Sequence, residues 1–260
     1  MTGAGVLEKI DKTETSIESL AINQIHLGDC LELMKGIPTG SVDMILCDLP
    51  YGTTQNKWDN VIDLAGMWEQ YSRVIKKNGA IILTAAHPFN AMLIMSNTRM
   101  FKYDLVWDKR AVTGHLNAKK MPLRRHEHIL VFYKKPPVYN PQMTEGKPYK
   151  STAGRASSNY GKQVEVETIN YGTRYPVSVI AIPQPRFKTG HPTQKPVELF
   201  EYLIKTYTNE GETILDNCIG SGTTAVAAIN TGRNFIGIEM ELEYVKMANE
   251  RINEVVRGQA

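Results

Sequence analysis

No run in this 260-residue chain is long and apolar enough to cross a membrane, which takes about 20 such residues. Glu8, Lys9, Asp11, Lys12 and Glu14 leave the first residues without the apolar core of a secretory signal. Only three cysteines occur, Cys30, Cys47 and Cys218, and they lack metal-ligand spacing. These absences imply a cytoplasmic protein with reduced thiols and no bound metal. The string His126-Glu127-His128 also fails the His-Glu-x-x-His spacing of a zinc helix. The chain has no internal repeat, which excludes a solenoid.

What is present suffices for one substantial core: 42% of the residues are hydrophobic. The net charge of +3 hides a segregation. Residues 109–195 hold 16 Lys and Arg against 4 Asp and Glu, a balance of +12, whereas the remainder holds 14 against 23, or −9. A block this basic, rich in Tyr, Gly, Asn and Pro, suits a surface that meets phosphates.

The most informative string is Asp48-Leu49-Pro50-Tyr51. An apolar strand, Val42 to Cys47, runs into a carboxylate, a stiff turn and an aromatic ring, and Gly52 lets the chain turn away. Asp and Pro are ordinary turn formers, so the string alone has a bland explanation. Its chemistry has another: a rigid corner with an acceptor carboxylate, a backbone carbonyl and a flat surface can grip a planar base and its exocyclic amine.

A second string lies far downstream. Glu212 to Asp216 reads as a buried strand, Asn217 to Gly222 as a glycine loop, and Thr223 to Asn230 as a helix of small apolar residues. Gly220 and Gly222 allow close backbone approach, and the helix start offers free N–H groups. The next strand, Asn234 to Ile238, ends in Glu239, placed to accept from ribose hydroxyls. A dinucleotide-binding reading competes, because Gly220-Ser221-Gly222-Thr223-Thr224-Ala225 fits G-x-G-x-x-G/A. Against it, only about twenty residues follow Glu239, and a dehydrogenase gives no reason for the Asp48 corner.

Together the two strings resemble the amino-methyltransferases that act on adenine N6 or cytosine N4 in DNA, whose motif reads Asp/Asn/Ser-Pro-Pro-Tyr/Phe. Leu49 departs from the commonest version. With the Asp48 corner first and the glycine loop last, the chain resembles the beta group of that family over roughly residues 22–256. The resemblance implies a Rossmann-like α/β methyltransferase fold of permuted motif order, S-adenosylmethionine as cofactor and double-stranded DNA as partner. It implies catalytic roles for Asp48, Leu49, Pro50 and Tyr51. Cofactor contacts would come from Asp29, Cys30, Asp48, Asp216, Cys218, Gly220, Ser221, Gly222, Thr223, Glu239 and Met240. In His191-Pro192-Thr193-Gln194-Lys195-Pro196, Thr193 and Lys195 would meet the methionine carboxylate. No cysteine belongs to a Pro-Cys pair, which the cytosine-C5 family uses for its nucleophile.

The resulting layout is a loose arm over residues 1–20 and a methyltransferase domain over 21–260 with a target-recognition insert at 136–190. Further helices are expected at Leu64–Lys76, stopped by Gly79, at Pro88–Ser96 and at Val197–Tyr207, and strands at Ala80–Ala85, Tyr103–Trp107 and His128–Tyr133. A basic loop, 109–125, precedes a strand that resembles the family's His-Glu strand. Its Lys109, Arg110, Lys119, Lys120, Arg124 and Arg125, with His126, are the expected DNA contacts. Asp at the first motif position favours adenine N6; cytosine N4 and a non-catalytic nucleic-acid-binding module are the alternatives. The sequence leaves open a homodimer and a restriction endonuclease partner.

Overall fold

The computed structural model describes residues 19–52, 60–153, 166–185 and 194–259. Most of the expected N-terminal arm, part of the insert and Thr193 therefore lie outside the described residues.

The chain begins with β1 (Gln24–Leu27), α1 (Cys30–Met34), β2 (Val42–Asp48), α2 (Leu64–Val74), β3 (Ile75–Ala85), α3 (Phe89–Ser96), β4 (Phe101–Thr113) and β5 (Arg124–Phe132). Five short strands follow: β6 (Thr144–Glu145), β7 (Tyr149–Ala153), β8 (Val166–Asn170), β9 (Thr173–Arg174) and β10 (Val179–Ala181). The C-terminal part is α4 (Val197–Tyr207), β11 (Thr213–Asp216), α5 (Thr223–Asn230), β12 (Asn234–Glu239) and α6 (Leu242–Gln259).

Eight strands form one sheet in the order β1-β12-β11-β2-β3-β5-β4-β10. The pairs from β1 to β3 are parallel, β5 runs antiparallel to both β3 and β4, and β10 is parallel to β4. Alternation along the strands divides the interior in two, as the period of a pleated strand requires. Ile45, Cys47, Ile81, Leu83, Leu130 and Leu215 face a core with α1, α2 and α3. Met44, Leu46, Ile82, Ile129, Val131 and Ile214 face another with α4 and α5. Both faces being covered explains why the central strands read as unbroken apolar runs.

Local signals set the elements. The Asp63 carboxylate caps α2, accepting from the amides of Ala65 and Gly66 at 3.1 Å each, and Met67, Trp68, Tyr71 and Val74 form its buried face. One boundary departs from the sequence reading. The helix ends at Val74 and Gly79 is not its stop: Lys76 to Gly79 already belong to β3, whose register against β2 shifts between Val42 and Met44. A Cβ at Gly79 would lie 2.7 Å from the Asp43 carbonyl oxygen, so the irregular strand needs glycine there.

The basic segment is not a free loop over 109–125 either. β4 continues to Thr113 and β5 starts at Arg124, with a short 3-10 turn at His115–Asn117 between them. Within 136–190 the described residues include two small ribbons, β6 with β9 and β7 with β8, and β10 at the edge of the main sheet. No described helix is long and apolar enough to span a membrane.

Candidate active site

β2 and β11 are adjacent and parallel although about 170 residues separate them in sequence. The helix that follows β2 packs on one face of the sheet and the helix that follows β11 on the other. The strand ends therefore diverge at a topological switch point, where open α/β sheets form their crevices. A cleft of about 580 Å³ lies there, of a size suited to a small-molecule ligand. The permuted motif order is thus undone in space: Asp48 leaves β2 and the glycine loop leaves β11 into one cleft.

The Asp48 corner is tightly held. Oδ1 accepts from the Tyr51 hydroxyl at 2.8 Å and from the Thr84 hydroxyl, and Oδ2 accepts from Lys195 Nζ at 2.6 Å. Lys195 Nζ is also 3.4 Å from Glu127 Oε2, while Glu127 Oε1 accepts from Lys109 Nζ at 3.1 Å. Burial alone would lower the Lys195 pKa, but the Asp48 and Glu127 carboxylates raise it above the ordinary lysine value. For Glu127, burial pushes upward and the Lys195 and Lys109 ammoniums outweigh it, holding the carboxyl low. Tyr51 stacks on Phe89 at 5.3 Å between centroids. Its phenol is pushed well above its usual range by burial and by the Asp48 and Glu127 charges.

The glycine-loop side has its own carboxylates. Glu239 Oε2 accepts from the Gly220 amide at 2.8 Å, and Oε1 accepts from the amides of Met240 and Glu241 at 2.9 Å each. Burial raises the Glu239 pKa, partly offset by these three donors. Asp216 is buried and accepts from the Cys218 amide at 3.1 Å and from the Thr224 hydroxyl. Burial pushes it up to about 6. Asp29 caps α1 through Oδ1, which accepts from the amides of Leu31 and Glu32 at 2.8 and 3.1 Å, and it also lines the cleft.

Of the sequence-expected residues, Asp29, Cys30, Asp48, Leu49, Pro50, Tyr51, Lys195, Asp216, Cys218, Gly220, Ser221, Thr223, Glu239 and Met240 all line this cleft. Gly222 does not. It caps α5 at φ 82° with α6 so close that a Cβ would lie 2.8 Å from the Ala248 Cβ, which glycine alone avoids. The Lys195 ammonium points to the Asp48 corner, where it is bonded to Oδ2.

The expected DNA contacts divide. Lys109 is buried on Glu127 and lines the cleft, apart from the others. Arg110, Lys119, Lys120, Arg124, Arg125 and His126 are exposed around the β4–β5 turn. Arg125 is engaged there by both oxygens of Asp108, at 2.7 and 2.8 Å.

Sequence reasoning missed Glu127 and Thr84 as site residues. The first lay inside the noted His-Glu strand; the second is an unremarkable Thr that only strand pairing brings beside Asp48. It also missed that the three cysteines converge. Cys218 interacts with the thiols of both Cys30 and Cys47, and burial raises Cys47 to about 12. No group of residues able to hold a metal ion occurs among the described residues.

Comparison with known proteins gives the same direction. The DNA methylase family, of N6 and N4 amino-methyltransferases, matches residues 42–250. The DNA adenine methyltransferase YhdJ of Escherichia coli is 31% identical, covering 88% of this chain and 82% of that protein. The type II methyltransferase M1.MboII of Moraxella bovis is 28% identical, covering 91% and 98%. Among solved structures, the M1.HpyAVI–SAM complex aligns with a TM-score of 0.60 and 26% identity over 88% of this chain and 98% of that one. The PvuII cytosine-N4 DNA methyltransferase aligns at 0.66 and 15% identity over 93% and 92%, a likeness of fold.

Proposed function

We propose, for a chain that belongs to the DNA methylase family, that it methylates the N6 amine of a flipped adenine in double-stranded DNA. That it is an S-adenosylmethionine-dependent DNA methyltransferase follows from the family; the choice of adenine is our reading. The observation that carries it is the pairing of the Asp48 carboxylate with the Glu239-held glycine loop in one cleft. Asp at the first motif position and the likeness to an adenine methyltransferase favour adenine over cytosine.

The residues present suit the cofactor. Glu239 is anchored by three amides, two on Oε1 and one on Oε2, which leaves acceptor capacity on Oε2 for a ribose hydroxyl. Gly220 lets the loop backbone approach closely, and Asp29 offers a carboxylate at the end of β1 for the adenine amine. When bound, the cofactor supplies an electrophilic methyl group on a positively charged sulfur, and its leaving group departs neutral.

The chain's own residues then have to present the amine. The lone pair of adenine N6 is delocalised into the ring and is a weak nucleophile. Hydrogen bonds from N6 to the Asp48 carboxylate and the Leu49 carbonyl localise it and fix its direction, so much of the catalysis is positioning. Positive charge developing on nitrogen is met by the Asp48 carboxylate, an electrostatic contribution realised mainly in the transition state. A base inside a duplex cannot reach this corner and must leave the stack. Leu49 is buried beneath the corner, and the Tyr51–Phe89 stack offers an aromatic wall.

Incubation with duplex DNA and cofactor, followed by mass analysis of the released nucleosides, tests the proposal. N6-methyldeoxyadenosine supports it, and N4-methyldeoxycytidine would replace adenine by cytosine within the same chemistry.

A further inference from the structure

A row of buried and half-buried charges runs Asp48, Lys195, Glu127, Lys109, two carboxylates alternating with two ammoniums. Both lysines are 7% exposed. A buried ion pair is a weak source of stability, because desolvation offsets most of its attraction and an apolar group of similar size packs as well. Folding alone therefore gives little reason for Lys195. Its segment is fastened to the glycine-loop side: the Thr223 hydroxyl donates to the Lys195 carbonyl at 3.5 Å, and the Ser221 hydroxyl to the Gln194 side chain at 3.2 Å. Its ammonium reaches the catalytic side.

The occupancy of Asp48 gives this connection a purpose. Two hydroxyls, from Tyr51 and Thr84, already crowd Oδ1. Among the described residues Oδ2 accepts from Lys195 alone, so it is the oxygen with room for an incoming amine. Beside it, Glu127 Oε2 is buried, makes no hydrogen bond and stands 3.4 Å from the same ammonium. It is an acceptor onto which Lys195 can lean when an amine arrives.

We propose that Lys195 is a positioning residue for methyl transfer: its ammonium, shared between Asp48 and Glu127, holds Asp48 Oδ2 in place as the anionic acceptor of the target amine. Lys109 is the counter-charge that keeps Glu127 available. This rests on Asp48 being the catalytic carboxylate. It differs from the sequence-based expectation that Lys195 binds the methionine carboxylate of the cofactor, and the two roles give opposite kinetic signatures.

The test compares wild type, Lys195→Ala and Lys195→Arg in single-turnover methyl transfer to DNA at saturating cofactor, with calorimetry of S-adenosylmethionine binding. Loss of one preorganised charged donor predicts a drop of about 10²–10³ in the rate constant for Lys195→Ala, with cofactor affinity within about twofold of wild type (a 1.4 kcal/mol change would be tenfold). Lys195→Arg is expected to retain an intermediate rate. Added ethylammonium should restore part of the Lys195→Ala rate and leave wild type unaffected, which a merely structural role does not predict. If Lys195→Ala does not fold, Lys195→Met keeps the alkyl stem and takes its place. A rate near wild type, or lost cofactor affinity with full rate at saturation, would overturn the inference and return Lys195 to the cofactor. Wild-type protein that methylates no DNA would instead sink the functional reading itself.

Discussion

Gly220 and Glu239 are joined across two strand ends by a 2.8 Å hydrogen bond from the loop amide to carboxylate Oε2. Glu239 thereby fixes the glycine loop, and in the proposed function its oxygens meet the cofactor's ribose. Glu239→Ala removes charge-assisted bonds worth roughly 1.5–3 kcal/mol each at most. Affinity for S-adenosylmethionine should fall at least about tenfold in calorimetry, with DNA affinity largely retained. Unchanged cofactor affinity in a folded variant would reduce Glu239 to a strand end that caps α6.

Asp216 should make the protein less stable as pH rises. Burial raises its folded pKa to about 6, above the ordinary value of 3.8. The folded state thus holds the proton more tightly than the unfolded state. The stability this contributes is fully present below pH 3.8 and is lost as pH rises through about 6. Asp216→Asn keeps an acceptor for the Cys218 amide and an amide group for Thr224 but cannot ionise. Denaturant melts at pH 4.5 and 7.5 should differ by about 2 kcal/mol less in the variant than in wild type. Identical pH dependence in the two proteins would remove Asp216 as the titrating group.

Tyr51 combines two parts that substitutions can separate. Tyr51→Phe keeps the stack on Phe89 and loses the hydroxyl's bonds to Asp48 at 2.8 Å and to Thr84 at 3.2 Å. It is expected to lower turnover about tenfold, the scale of one hydrogen bond to a charged group. Tyr51→Ala removes the aromatic wall and should lower turnover further and raise the KM for DNA. Equal effects of the two substitutions would mean that the ring itself contributes nothing to holding the base.

The exposed cations of the β4–β5 turn should set the salt dependence of DNA binding. Lys119, Lys120 and Arg124 are exposed and make no ion pair among the described residues, whereas Arg125 is engaged by Asp108. Neutralising Lys119, Lys120 and Arg124 together should flatten the slope of log affinity against log salt by about 2–3, near 0.9 per phosphate contact. Adding Arg125 should change it less than any of the others. A slope untouched by the triple change would place DNA on another surface.

Much of this site was legible in sequence because its parts are local. An apolar strand ending in Asp48-Leu49-Pro50-Tyr51 and a strand-glycine-loop-helix ending at Glu239 carry their geometry within a few residues. The sheet order then explains why two strings so far apart in the chain share a cleft. The start of β3 was not legible, since Lys76-Lys77-Asn78-Gly79 has the composition of a helix end and only pairing with β2 makes it strand. The direction of Lys195, the burial of Lys109 and the meeting of three cysteines depend on which strands become neighbours, which no local pattern states. The ribbons between 144 and 174 are too short and polar to leave a readable period.

The central claim is that Asp48 acts in methyl transfer and not in holding the cofactor. It is tested most directly by measuring single-turnover methylation of duplex DNA and S-adenosylmethionine affinity for Asp48→Ala and wild type on the same preparations. The account predicts methyl transfer reduced beyond detection with cofactor affinity within an order of magnitude, since an interaction made in the transition state appears in the rate. A variant that methylates DNA at a near-normal rate would contradict it.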